Sequence, residues 1–296
     1  MDVRPRRSAL YMPGSNARAL EKARTLDADV LIFDLEDAVA PDAKASARDL
    51  IREAIRTGGY GRREIVVRIN AIGTLWSADD LVAMARSGAH AILLPKVESA
   101  ETVRLAAAEL SRAGAPDDLA LWCMIETPLG VLNVREIAAA HGALRCLVMG
   151  TSDLAKDLRS KHTAERLPML TSLGLTILAA RAYGLAVLDG VFLDLADDAG
   201  FLASCRQGAE LGFDGKTLIH PKTIAAANEA FAPREEELAF ARRVIDAHAE
   251  ARAAGKGVVL VDGRLIERLH VAEAERLIAL SHAIEAIGGS VAPGAR

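Results

Sequence analysis

The chain has 296 residues, of which 51% are hydrophobic but only 4% aromatic. It can therefore build a large core from Ala, Leu, Val and Ile, which suits helix-on-strand packing better than a sandwich. A formal net charge of −4 supplies no basic field for nucleic acid or for an anionic membrane surface, so neither is expected as a partner.

Short apolar runs alternate with longer amphipathic stretches. Strands are predicted near Ser8–Met12, Val30–Leu35, Ile65–Ile69, Ala91–Leu94, Leu121–Ile125, Arg145–Met149, Leu185–Leu188 and Gly215–Ile219, with Gly190–Leu193 as another placement for the seventh. Helical patterns lie between them. In Ala45–Arg56, Leu50, Ile51, Ala54 and Ile55 share a face, and Gly58-Gly59 stops the helix. Eight strand–helix alternations without a doubly glycine-rich nucleotide loop predict an α/β fold, a closed parallel (β/α)8 TIM barrel over residues 1–230.

A C-terminal helix–hairpin–helix extension, 231–296, follows. A charged helix runs from about Pro233 to Ala254 and ends at Gly255-Lys256-Gly257. Val258–Val261 and Arg264–Ile266 then form a hairpin around Asp262-Gly263, a favoured turn pair. The last helix carries Leu277, Leu280, Ile284 and Ile287 on one face and stops at Gly288-Gly289; the final SVAPGAR is expected to fray. This extension is expected to serve as a lid or an oligomer contact.

Cys123, Cys146 and Cys205 are odd in number and scattered. The first two sit inside apolar runs and read as small buried hydrophobes, not as a disulfide or zinc framework. The basic start MDVRPRRSALYM has no apolar stretch behind it, and no segment is long enough to span a bilayer, so the cytoplasm is the expected compartment.

Polar residues gather at the C-terminal ends of the predicted strands, where barrel enzymes keep their sites. They are Glu36 and Asp37 after the second strand, Arg68 and Asn70 after the third, Lys96 after the fourth, Glu126 after the fifth, Asp153 after the sixth and His220 after the eighth. Glu126 ends the run LWCMIE and Asp153 follows LVMGTSD, so adjacent strands would set both acids on one side of the mouth. Two carboxylates with water and substrate oxygens suit Mg2+, with Mn2+ the alternative. The histidines make no H-x-x-x-H pattern, which disfavours Zn2+. The competing reading is that Asp153 caps the next helix. Arg68 points inward and needs a partner, either a substrate carboxylate or a structural ion pair with Glu36 or Asp37. A desolvated Lys96 would suit a Schiff base. Arg18 and Lys22, four apart, share a helix face and read either as an exposed basic face or as a phosphate grip.

RSALYMPGSNARALEKA, DLEDAVAPDAK, VRIN, LLPKVESA, IETPLG, MGTSDLAKDL and GFDGKTLIHP occur in this order. Together they resemble the citrate lyase β-subunit-like CoA-ester lyases of the HpcH/HpaI aldolase superfamily, over nearly the whole chain. The resemblance implies a Mg2+-binding homotrimer or homohexamer, with Glu126 and Asp153 as metal ligands and Glu36 and Asp37 held nearby through water. It implies that Arg68 binds the carboxylate of a 2-keto acid, that Tyr11, Arg18 and Lys22 contact the CoA thioester, and that Ile219 and His220 contact substrate. By the same resemblance Lys96 is not a Schiff-base lysine. The family's hairpin ends in Met-Ile-Asp, whose Asp acts as acid/base in a neighbouring subunit's site; this chain has Leu265-Ile266-Glu267, so Glu267 takes that role, with Asp262 as the fallback. The expected reaction is reversible cleavage of a 3-hydroxyacyl-CoA into an acyl-CoA and a 2-keto acid. Alternatives are hydrolysis of malyl-CoA, or service as the β subunit of a multi-component citrate lyase acting on a carrier-protein thioester.

Overall fold

The eight apolar runs form parallel strands β1 (Ser8–Pro13), β2 (Val30–Asp34), β3 (Glu64–Arg68), β4 (Ala91–Leu94), β5 (Ala120–Ile125), β6 (Leu144–Met149), β7 (Ala186–Asp189) and β8 (Gly215–Leu218) in the computed structural model. They close in sequence order, β8 pairing back onto β1. The structure describes residues 3–255 and 257–288. The last glycine of the terminal stop and the SVAPGAR tail lie outside the described residues. The alternative seventh strand, Gly190–Leu193, is loop; Ala186–Asp189 carries the pairing to both neighbours.

Strand alternation divides the core into two layers. Ala9, Val30, Ile32, Val66, Leu93, Trp122, Cys146, Val148 and Leu188 pack with one another as the barrel interior. Their chain neighbours Leu10, Leu31, Val67, Ile92, Cys123 and Leu147 pack outward against the helices. Strands buried on both faces read as continuous apolar runs, which is why short stretches such as VLIF could be placed from sequence. One outer helix illustrates the match: Lys44–Thr57 buries Ala47 and Ile51, and Gly58 ends it at φ 71°, where a glycine meets no Cβ penalty.

The chain divides into a barrel unit, Arg6–Phe231, and a second unit containing the residues from Ala232 onward. The second unit holds the helix Glu235–Ala253, the antiparallel pair β9 (Val259–Val261) and β10 (Arg264–Ile266), and the helix Arg268–Gly288. Its core is Ala241, Val244, Val261, Ile266, Val271 and Ala274, so the last helix meets this core through Val271 and Ala274, with Ile278 packed against it, and not through the predicted Leu277, Leu280, Ile284 and Ile287. Asp262 and Gly263 both take positive φ, 49° and 77°, as a two-residue hairpin turn requires. The Asp262 carboxylate accepts a hydrogen bond from Arg243 at 2.8 Å.

Candidate active site

At the C-terminal ends of the strands the interior layer turns from apolar to polar. Counting in twos, Val30 and Ile32 lead to Asp34, Val66 leads to Arg68, Trp122 and Met124 lead to Glu126, and Cys146 and Val148 lead to Gly150. These positions wall a cavity of about 360 Å3 together with Tyr11, Asp37, Asp153, Thr217 and Ile219.

Asp34 and Arg68 are register partners on β2 and β3. Arg68 donates from Nε to Asp34 Oδ1 at 2.7 Å and from Nη2 to Asp34 Oδ2 at 2.6 Å. Both groups are buried, a setting in which a two-pronged pair fixes orientation as well as charge. The guanidinium lies over the Tyr11 ring, 4.8 Å from its centroid. Its third nitrogen, Nη1, stands 2.9 Å from Glu36 Oε2 and 3.5 Å from Asp37 Oδ2. The main partner of Arg68 is therefore Asp34, which is not among the partners expected from sequence, although the expected contacts with Glu36 and Asp37 also form. Strand parity was the available signal, since Asp34 continues the inward series and Leu35 does not.

Glu126 is buried, and Gly150 leaves room for it. A Cβ on Gly150 would collide with the Cβ and Oε2 of Glu126. Glu126 Oε1 accepts the backbone N–H of Lys96 at 2.7 Å. Burial first, and then repulsion from Glu36, push the Glu126 carboxyl up to about 7. Asp153 lies in the first turn of the helix Thr151–Asp157. The N-cap of that helix is Gly150, and no side chain caps it, so the capping reading of Asp153 is not what the structure has. Lys96 joins the acids: its Nζ is 2.7 Å from Glu36 Oε1 and 3.5 Å from Asp153 Oδ2. Burial also raises the Glu36 carboxyl above its ordinary value, against the pull of Arg68 and Lys96.

Glu126 and Asp153 are hard oxygen donors on adjoining walls. No group of three His, Cys, Asp or Glu close enough to hold a metal occurs among the described residues. A cation there would have two protein ligands and leave its other positions to water and substrate, the pattern Mg2+ adopts. The donor set fits such an ion, because burial leaves the Glu126 charge short of compensation.

The remaining predicted residues fall in different places. Ile219 is on the cavity wall. His220 caps the turn Pro221–Thr223, its Nδ1 accepting from Lys222 N at 3.1 Å. Arg18 and Lys22 are exposed on the short helix Ala17–Lys22. Asn70 is buried and bonded to Leu35 O and Asp80 Oδ2, which makes it part of the support of the rim. Lys44, not singled out from sequence, donates to the carbonyls of Leu35 and Glu36 at 2.8 and 2.7 Å and holds the loop that carries the acids. Glu267 is an exposed residue of the second unit whose backbone N–H donates to His270 Nδ1 at 3.0 Å.

The acids and the one clamped arginine lie at the C-terminal mouth of an eight-stranded barrel, where barrel enzymes keep their sites. Residues 7–221 match the HpcH/HpaI aldolase/citrate lyase family, and the chain belongs to it. It is 51% identical over 286 residues, 97% of this chain and 98% of the other, to the (3S)-malyl-CoA thioesterase of Cereibacter sphaeroides. It is 36% identical over 310 aligned positions, 96% of this chain and 97% of the other, to the L-malyl-CoA/beta-methylmalyl-CoA lyase of the same species. Among solved structures it resembles the protein CitE of Mycobacterium tuberculosis in complex with magnesium, acetoacetate and coenzyme A, with TM-score 0.74 and 30% identity over 95% of this chain and 100% of that one. These likenesses correct the expected reaction. The relative sharing half of the residues over almost the full length is named as a thioesterase, and the lyase relative is more distant. The motifs that carry the resemblance name a family and not a substrate, so they could not separate the two reactions. Among the described residues no helix is long and apolar enough to cross a membrane.

Proposed function

We propose that this chain hydrolyses the CoA thioester of a short hydroxy-dicarboxylic acid of the malyl type. The observation that carries this reading is the 51% identity, over 97% of the chain, to a protein named as a (3S)-malyl-CoA thioesterase. In the reaction a water oxygen adds to the thioester carbonyl carbon and the C–S bond breaks. The electron pair leaves on the CoA sulfur, which takes a proton, and the free acid is released.

In this proposal Arg68 presents Nη1 to the free carboxylate of the substrate, while Asp34 holds the other edge of the guanidinium and Tyr11 backs it. Glu126 and Asp153 hold Mg2+, with Mn2+ as the alternative. That ion, when bound, polarises and orients the substrate oxygens it contacts. Glu36 and Asp37 border the same charge field through Arg68. The exposed pair Arg18 and Lys22 offers charge for the phosphates of CoA, and Ile219 and His220 border the substrate. Glu267 is proposed as the proton-transfer group, in a homo-oligomer.

Incubating the protein with (3S)-malyl-CoA and Mg2+ tests the proposal. Free thiol and malate are expected in equal amounts. Accumulation of acetyl-CoA and glyoxylate without free thiol would overturn it.

A further inference from the structure

Lys96 has a feature its neighbours lack. Its φ is +50°, in the left-handed region where a lysine is disfavoured and a glycine is not. Backbone in that region persists only where its surroundings hold it, and it concentrates at functional positions. Three contacts hold Lys96. Its backbone N–H donates to Glu126 Oε1 at 2.7 Å, and its Nζ reaches Glu36 Oε1 at 2.7 Å and Asp153 Oδ2 at 3.5 Å. One residue thus contacts both proposed metal ligands and the acid beside them.

The charges at the mouth are unequal. Asp34, Glu36, Asp37, Glu126 and Asp153 are carboxylates, and the cations ion-paired with any of them here are Arg68 and Lys96. Arg68 is committed to Asp34 through two hydrogen bonds, and the Lys44 ammonium is taken up by two backbone carbonyls. Lys96 is the more exposed of the two cations. Its side chain is 40% exposed, and its contact with Asp153 is the longer of its two ion pairs.

We infer that the Lys96 ammonium is an internal counter-ion standing in for a divalent cation, and that the cation must displace it from Asp153 in order to bind. Lys96 is a positioning residue in this scheme. It compensates the charge of the acids when no metal is present, at the expense of cation affinity. After displacement its charge stays on Glu36, beside the site. The inference rests on the reading of Glu126 and Asp153 as metal ligands.

The experiment is calorimetric titration of Mg2+, and separately of Mn2+, into the full chain and its Lys96→Met and Lys96→Arg variants, with thermal melting to establish folding. Lys96→Met removes the charge and keeps the backbone N–H. Lys96→Gly is a second charge-free variant that also suits the positive φ. Cation binding at least tenfold tighter in both charge-free variants, with Lys96→Arg close to the wild type, supports the inference. A lysine that merely braced the acids would make the charge-free variants bind more weakly. Wild-type binding with Lys96→Met equal or weaker overturns the inference and leaves the metal site standing. Binding by none of the proteins overturns both.

Discussion

Asp34 and Arg68 face each other across the register of β2 and β3 and meet in two hydrogen bonds of 2.7 and 2.6 Å. The pairing leaves Nη1 as the guanidinium nitrogen not bonded to Asp34; it stands 2.9 Å from Glu36 Oε2 and 3.5 Å from Asp37 Oδ2, so the arginine is an oriented donor and not a free charge. A lysine has no planar fork to match both Asp34 oxygens side by side. Arg68→Lys is expected to lower kcat/KM for a malyl-type thioester about 100-fold, roughly 2.7 kcal/mol and within the range for losing one partner of a buried charge pair. Steady-state kinetics check it.

Glu126→Ala and Asp153→Ala are each expected to abolish thioester hydrolysis while leaving the circular dichroism of the fold unchanged. EDTA should do the same to the wild type, and added Mg2+ should restore it. A variant with wild-type rate and wild-type Mg2+ dependence would remove that residue from the ligand set.

Glu126 makes the metal-free protein sensitive to pH. Its ordinary value is 4.5, and burial in the folded barrel raises it to about 7. Across that window the unfolded chain ionises the group while the folded chain retains the proton, so stability falls as pH rises. The contribution is intact below 4.5 and fully lost above about 7, with a magnitude of about 3 kcal/mol. Urea unfolding in EDTA at pH 5 and pH 8 measures the fall, and Glu126→Gln should flatten it.

Gly150 is where β6 gives way to the Glu126 side chain. Gly150→Ala is expected to cost about 1–3 kcal/mol of stability by overpacking. Its effect on Mg2+ affinity should be larger, because the displaced group is the carboxylate itself. Calorimetric titration alongside thermal melting separates the two.

Away from the cavity, Asp189 is fully buried and accepts hydrogen bonds from Lys216 Nζ at 2.7 Å and from Arg166 Nη1 at 2.7 and 2.8 Å. Asp189→Ala would strand two cations in the layer between sheet and helices. It is expected to destabilise the barrel by about 3–5 kcal/mol, measured by urea denaturation.

The barrel was legible because each strand is buried on both faces and each outer helix on one, which writes two different periods into the chain. Glu126, Asp153 and Arg68 stood out because a charge at the end of an apolar run has few structural uses. Asp34 was harder to see, since it sits inside its strand and reads as part of VLIFD until the inward parity is counted. Lys96 could be placed at the rim but its contacts could not: nothing in LLPKVES announces a positive φ or a contact with an acid 60 residues earlier.

By itself the sequence determined the architecture, most of the strand placements and the acids Glu36, Asp37, Glu126 and Asp153 at the mouth, because periodicity and burial are local properties of the chain. Only the tertiary structure decided who partners whom. Closing the barrel sets Asp34 against Arg68, gives Glu126 the space left by Gly150, and hangs Lys96 between Glu36 and Asp153. Charge pairing acts over a few ångströms of space, and residues far apart in the chain reach that range only when the strands close.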